Sequence, residues 1–186
     1  MNFNIETGFS DNLYERLEKI ARVCYKSEGK MSGDSEAFVM GLVMAGHHSV
    51  LEHETATVYI KCNRGVSHEL VRHRIASYTQ KSTRYAPGIA FIRPPWAVGI
   101  DGEIWENTVG VIETNYNRLL QRGRLKEEAR DLLPNCLETE IYITANLREW
   151  RHIFGLRASD KAHYDIRGLF QDIQAEFISR WGRVFE

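Results

Sequence analysis

The chain has 186 residues, is 43% hydrophobic and carries a formal charge of -1 at pH 7, which allows one well-buried core and is short for two domains. A pI near 6.7 excludes a nucleic-acid coat, which needs a broad basic face. Three widely spaced cysteines (Cys24, Cys62, Cys136) with no CxxC pair exclude a disulfide framework and read as buried small hydrophobes in a reducing compartment. No apolar stretch resembles a signal peptide or approaches the roughly 20 residues of a membrane span, so one soluble cytoplasmic domain over residues 1–186 is expected.

Residues 12–26 predict an amphipathic helix with Leu13, Leu17, Ile20, Ala21 and Cys24 on one stripe and Ser10 or Asp11 as its cap. A second helix, Ser35 to Gly46, is apolar over much of its surface and is expected to be well buried. In TATVYIKC the period changes to two, and Ala56, Val58, Ile60 and Cys62 predict the inner face of a strand. A helical pattern returns over 65–76, and three prolines (Pro87, Pro94, Pro95) break the region after it, leaving room for a short strand at Ile89 to Ile92. Helices follow over 103–121 and 126–133. CLETEIYIT predicts a second long strand with Leu137, Thr139, Ile141 and Ile143 on one face. Helices over 146–154 and 159–181 end the chain, the last striped by Ile166, Leu169, Phe170, Ile173 and Phe177. The order is mixed rather than regularly alternating, which predicts an α+β domain with an antiparallel sheet flanked by helices.

One segment is chemically unusual. From Leu70 to Ile100 there are five cations (Arg72, Arg74, Lys81, Arg84, Arg93) and no carboxylate; subtracting five from -1 leaves -6 on the rest. RHRIASYTQKSTRY also supplies the hydroxyls of Ser77, Tyr78, Thr79, Ser82 and Thr83. Guanidinium forks, hydroxyls and loop N–H groups suit phosphate oxygens. On a helix, Arg72 and Arg74 diverge by about 200° and would serve two anions, or one anion and one structural partner. A solvated helix in which Glu69 pairs with His73 is the alternative.

Five of the seven histidines lie between His47 and His73, which raises a metal site. HELVRH spaces His68 and His73 five apart, whereas a zinc-protease helix needs four, and flanking arginines repel a dication. No metal is expected. There is no G-x-S-x-G elbow and no phosphate-binding glycine loop.

RHRIASYTQKS, read as R-H-R, seven residues and S, resembles the signature of the flavin-dependent thymidylate synthases. HHSVLEH is similar to that family's histidine-rich segment, RGVSHELVRHR to its lead-in helix, ARDLLP to its A-R-x-x-L-P element, and NLREWRHIFGLRASDKAHYDIR to its C-terminal block. These elements occur in the family's order from residue 46 to 167.

The resemblance implies conversion of dUMP to dTMP with 5,10-methylenetetrahydrofolate as carbon donor, FAD as cofactor and NADPH to reduce it. It also implies a homotetramer with active sites at subunit interfaces. Carried over by position, Arg72, His73 and Arg74 lie at the flavin, with Arg72 also near the nucleotide, and His47 and Ser49 are further FAD contacts. Gln80, Ser82, Thr83 and Arg84 form the dUMP loop, with Gln80 also on the cofactor side, and Glu69 and Lys81 stand beside it. Arg130 is a second nucleotide-binding arginine, and Asn146, Arg148 and His152 are flavin-side. Arg157 is the catalytic candidate: a cation against the uracil eases ionisation at N3 and makes C5 more nucleophilic. Lys81, Glu69 and Asp165 depart from the commoner pattern, and Lys81 is expected to add charge beside the loop. Two other readings remain: a flavin- or nucleotide-binding protein without transferase activity, and a metal-dependent hydrolase built on the histidines.

Overall fold

Two segments with a period of two form the centre of a sheet. β2 (Thr55–Asn63) buries Ala56, Val58, Ile60 and Cys62, and β4 (Glu138–Asn146) buries Thr139, Ile141, Ile143 and Ala145. The computed structural model describes residues 1–27 and 29–186. Its antiparallel sheet has the order β1-β2-β4-β3, and the α+β expectation is met. The edge strands β1 (Asn2–Thr7) and β3 (Ala76–Gln80) do not follow from the sequence pattern, because no residue of either is fully buried. Without a buried face, alternation carries little signal.

Helix α1 (Leu13–Arg22) is shorter than expected, and the chain passes through a 3-10 turn, Val23–Tyr25, that Lys26 closes with a left-handed φ of 47°. Neither Ser10 nor Asp11 is its cap: Asn12 holds that position, and the Ser10 hydroxyl donates to the Glu54 carboxylate at 3.1 Å. Inside α1 the fully buried Glu18 accepts from the Ser32 N–H at 2.6 Å, the Ser32 hydroxyl at 2.8 Å and the Arg22 Nε at 2.7 Å.

Helix α2 (Ser35–Met44), capped by the Asp34 side chain, overturns the expectation of burial: Val39 is its one buried residue and Met44 is 86% exposed. It packs against α1 on one side and keeps apolar surface on the other.

A 3-10 segment, His48–His53, leads to β2, and α3 (Arg64–Leu70) follows it. This helix stops short of residue 76, so Arg72 in the turn that follows and Arg74 beyond it stand outside the helix and the angular argument does not apply. Tyr78 closes that turn by sharing its one hydroxyl proton between the carbonyls of Leu70 (2.8 Å), which also accepts the His73 N–H at 3.1 Å, and His73 (2.9 Å).

The Ile89 to Ile92 strand is reduced to a bridge between Phe91 and Leu137. Helix α4 (Gly99–Gln121) begins before Glu103, and the segment after it divides into α5 (Lys126–Ala129) and the 3-10 turn Arg130–Leu132. Helix α6 (Leu147–Arg157) runs past Phe154, and α7 (Tyr164–Trp181) begins after Ser159 and buries its whole expected stripe.

The residues cluster into two compact units, to each of which all four strands contribute. The first comprises Met1–Asn2, Tyr59–His73 and Tyr78–Tyr142, with a core that includes Ile60, Leu70, Leu137 and Ile141. The second comprises Phe3–Val58, Arg74–Ser77 and Ile143–Glu186, and its core is aromatic: Phe177 lies 5.0 Å from Trp150, 5.2 Å from Phe154 and 5.8 Å from Phe9, centroid to centroid. Among the described residues no helix is long and apolar enough to cross a membrane.

Candidate functional site

The basic segment leaves α3 and turns at Arg72 and His73 in the first unit; Arg74–Ser77 belong to the second unit, and from Tyr78 the segment is again part of the first, running into the loop after Gln80. Three of its cations meet carboxylates from distant parts of the chain. Lys81 Nζ lies 3.1 Å from Glu140, Arg84 grips Glu127 with Nη2 at 2.5 Å and Nε at 2.8 Å, and Arg93 Nη1 lies 2.6 Å from Glu106. The expectation that Lys81 adds free charge beside the loop is therefore corrected, since Glu140 neutralises it. Hydrogen bonds from Lys81, then from the Tyr59 hydroxyl, hold the Glu140 carboxyl below the usual range. Arg72 and Arg74 are exposed and meet no carboxylate among the described residues. His73, between them, is buried.

Beside the loop lies a cavity of about 210 Å³ with Lys81, Ser82, Thr83 and Thr139 among its polar lining and Ile89, Tyr116, Leu133 and Leu137 among its apolar lining. The exposed Arg130 donates from Nη1 to the Thr83 hydroxyl at 3.5 Å, which brings two sequence-predicted residues 47 positions apart together. Gln80 is half-buried and donates from Nε2 to Ser67 Oγ (2.9 Å) and Thr139 Oγ1 (3.1 Å). Glu69 is half-buried on α3.

The second unit has a larger cavity, about 600 Å³, lined by His48, Glu52, Ile75, Asn146, Arg148, Glu149, Arg151 and His152 among others. Three expected residues, Asn146, Arg148 and His152, meet in it. Asn146 also caps α6, its Oδ1 accepting the Glu149 N–H at 2.8 Å. Arg148 is bound to Glu52 at 2.6 Å. Burial raises the Glu149 carboxyl above its usual range, opposed by the charges of His152 and Arg148, and lowers Arg151. His47 and Ser49 are exposed beside this region, Arg74 lies in the same unit, and Arg157 is the half-buried last residue of α6.

Glu140, Glu127 and Glu149 are not among the residues expected at a site, nor are the hydroxyls of Ser67 and Thr139. Only Glu149 leaves a local trace, because Asn146-x-x-Glu149 has the spacing of a helix-capping box. Of the cysteines, Cys62 is buried and its thiol is pushed up to about 12 by burial, Cys136 is half-buried and raised for the same reason, and Cys24 is exposed. The expectation of burial fails at Cys24.

Each unit of this α+β chain thus holds a cavity lined by polar and charged side chains. Residues 10–181 match the family described as "Thymidylate synthase complementing protein". A flavin-dependent thymidylate synthase of Geobacter sulfurreducens is 41% identical over 163 residues, covering 80% of this chain and 70% of that one. Proteins of the same name from Pyrococcus furiosus (37% over 157 residues, 79% and 64%) and Corynebacterium diphtheriae (34% over 196 residues, 91% and 76%) are also similar. The chain belongs to the flavin-dependent thymidylate synthase family, a family of enzymes.

Proposed function

We propose that the chain catalyses the reductive methylation of dUMP to dTMP. 5,10-methylenetetrahydrofolate would supply the methylene carbon, its carbon–nitrogen bonds breaking to leave tetrahydrofolate as the carbon bonds to C5 of dUMP and the C5 proton is lost; reduced FAD, regenerated by NADPH, would supply the hydride. The observation that carries this reading is the family match over residues 10–181, which includes every motif from HHSVLEH to the C-terminal block.

The residues fit the ligands chemically. The second unit's cavity presents Asn146, Arg148, Arg151 and His152, a set of donors and cations suited to a flavin's carbonyls and pyrophosphate. Asn146 Oδ1 is occupied by the α6 cap, so its Nδ2 remains for the cofactor. When bound, the reduced flavin provides the hydride that no side chain can supply.

In the first unit, Arg72 keeps its guanidinium free of carboxylates and Arg130 stands at Thr83, so both serve the dUMP phosphate with Ser82 and Thr83, and Arg84 joins them on exchanging Glu127 for the phosphate. Arg74 and His73 serve the flavin. Arg157 holds positive charge against the uracil as charge develops on the ring. No thiol is required, consistent with a buried Cys62 whose thiol stays protonated at neutral pH. The apolar side of α2 supports a homotetramer, because it offers surface for another subunit to cover. The compartment proposed is the cytoplasm.

The test is tritium release from dUMP labelled at C5, with methylenetetrahydrofolate and NADPH present, before and after flavin is stripped and restored. Release that depends on added FAD is expected. Absence of release from protein that still takes up FAD would move the reading to a binding protein.

A further inference from the structure

The amide of Gln80 sits in a network whose proton directions can be followed one by one. Ser67 is fully buried and its hydroxyl donates to the Arg64 carbonyl at 3.0 Å, an oxygen that can only accept. With its one proton spent there, Ser67 Oγ can only accept from Gln80, and the 2.9 Å contact must be an N–H donated by Nε2. Nε2 gives its other proton to Thr139 Oγ1 at 3.1 Å; Thr139 is 2% exposed on the inner face of β4. Both amide protons are then used inside the protein. Turning the amide over would force Ser67 to choose between Oε1 and the Arg64 carbonyl, losing one hydrogen bond.

The remaining polar atom is Oε1. No protein donor reaches it among the described residues, and no shielded side-chain oxygen there lacks a partner, so Oε1 is open to solvent. It belongs to the residue immediately before the Lys81–Arg84 loop.

We infer that Gln80 meets the nucleotide as a hydrogen-bond acceptor only, and that Ser67 and Thr139 are positioning residues that fix this polarity. The inference rests on the proposed nucleotide site. Through Oε1, Gln80 can read a donor on dUMP, the 3′-hydroxyl or the imide N3–H, and would be repelled by a lone pair in the same place.

The experiment is a calorimetric titration of the flavin-loaded protein with dUMP, N3-methyl-dUMP and 2′,3′-dideoxyuridine 5′-monophosphate, each analogue lacking one donor. In the native protein, removing the donor that Gln80 reads is expected to weaken binding about fivefold beyond any steric effect, the size of one neutral hydrogen bond. In Gln80→Met that penalty disappears while the other analogue's penalty is unchanged. Thr139→Val, close to isosteric, should shrink the same penalty, and Thr139→Ser should restore it; a merely structural role for Thr139 would weaken all three ligands alike. These two variants carry the test if Gln80→Met does not fold. Equal penalties for both analogues in native and variant proteins would overturn the inference while leaving the dUMP site standing. A native protein that binds no dUMP would overturn the proposed function itself.

Discussion

Lys81 and Glu140 are joined twice: the Lys81 N–H donates to the Glu140 carbonyl at 2.8 Å, and its ammonium lies 3.1 Å from the Glu140 carboxylate. The other carboxylate oxygen accepts from the Tyr59 hydroxyl at 3.0 Å. Burial first, then Glu140, pushes the Tyr59 hydroxyl up to about 12. A cation that looks available in the sequence is thus bound to the neighbouring strand.

Glu140→Gln should release that cation one residue from Ser82. Lys81 and Glu140 are each about a third exposed, so stability should change by less than about 1 kcal/mol. Affinity for dUMP should rise at low salt and lose the gain as salt is added. Weaker dUMP binding at low salt would contradict the picture.

Two arginines should separate by kinetic signature. Arg157→Ala is expected to reduce turnover by roughly 10² or more while FAD stays bound, since a charge contact made in the transition state is lost. Arg84→Ala should chiefly raise the KM for dUMP, because a phosphate contact is made equally in ground and transition states. Near-normal turnover in the first, or a change confined to turnover in the second, would remove the role assigned.

Asn146 carries a structural duty apart from any ligand. Asn146→Ala should destabilise the protein by about 1 kcal/mol through the lost α6 cap, and Asn146→Ser should recover most of it. If the serine variant keeps its Tm but retains less FAD, the cofactor contact is separated from the cap. Full FAD retention in the serine variant would leave Asn146 with the cap alone.

Glu18 should make stability depend on acid. Burial opposes its ionisation, but hydrogen bonds from Ser35, Ser32 and Arg22 outweigh this and hold its carboxyl at about 2, against 4.5 when unfolded. Over that interval the unfolded chain binds the proton and the folded one does not. Its stabilisation is therefore whole above pH 4.5 and drains as pH falls toward 2. Thermal melts of native and Glu18→Gln protein should differ most at pH 6 and converge only as pH falls below about 2; a constant gap would reject the assignment.

What the sequence revealed depended on whether a feature was local. β2, β4 and the α7 stripe were readable because each buries one face, and the period of the apolar residues records it. β1 and β3 left no such record at the sheet's edges. Burial of α2 was overestimated because apolar composition says what a helix could cover, while α1 meets only one side of it. The basic segment was found by counting, but Glu127, Glu140 and Glu106 lie 43, 59 and 13 positions from the arginine or lysine they neutralise, and counting cannot see them. The polarity of Gln80 depended likewise on Ser67 and Thr139, which have no special spacing in the chain.

The distribution of the thiols has a practical consequence. The thiolate is the form that attacks an alkylating reagent, and burial disfavours it at Cys62 and Cys136, while Cys24 stands open in its turn after α1. A maleimide dye at neutral pH should therefore mark one position without a mutation being made, giving each chain a single built-in fluorescent handle for counting subunits.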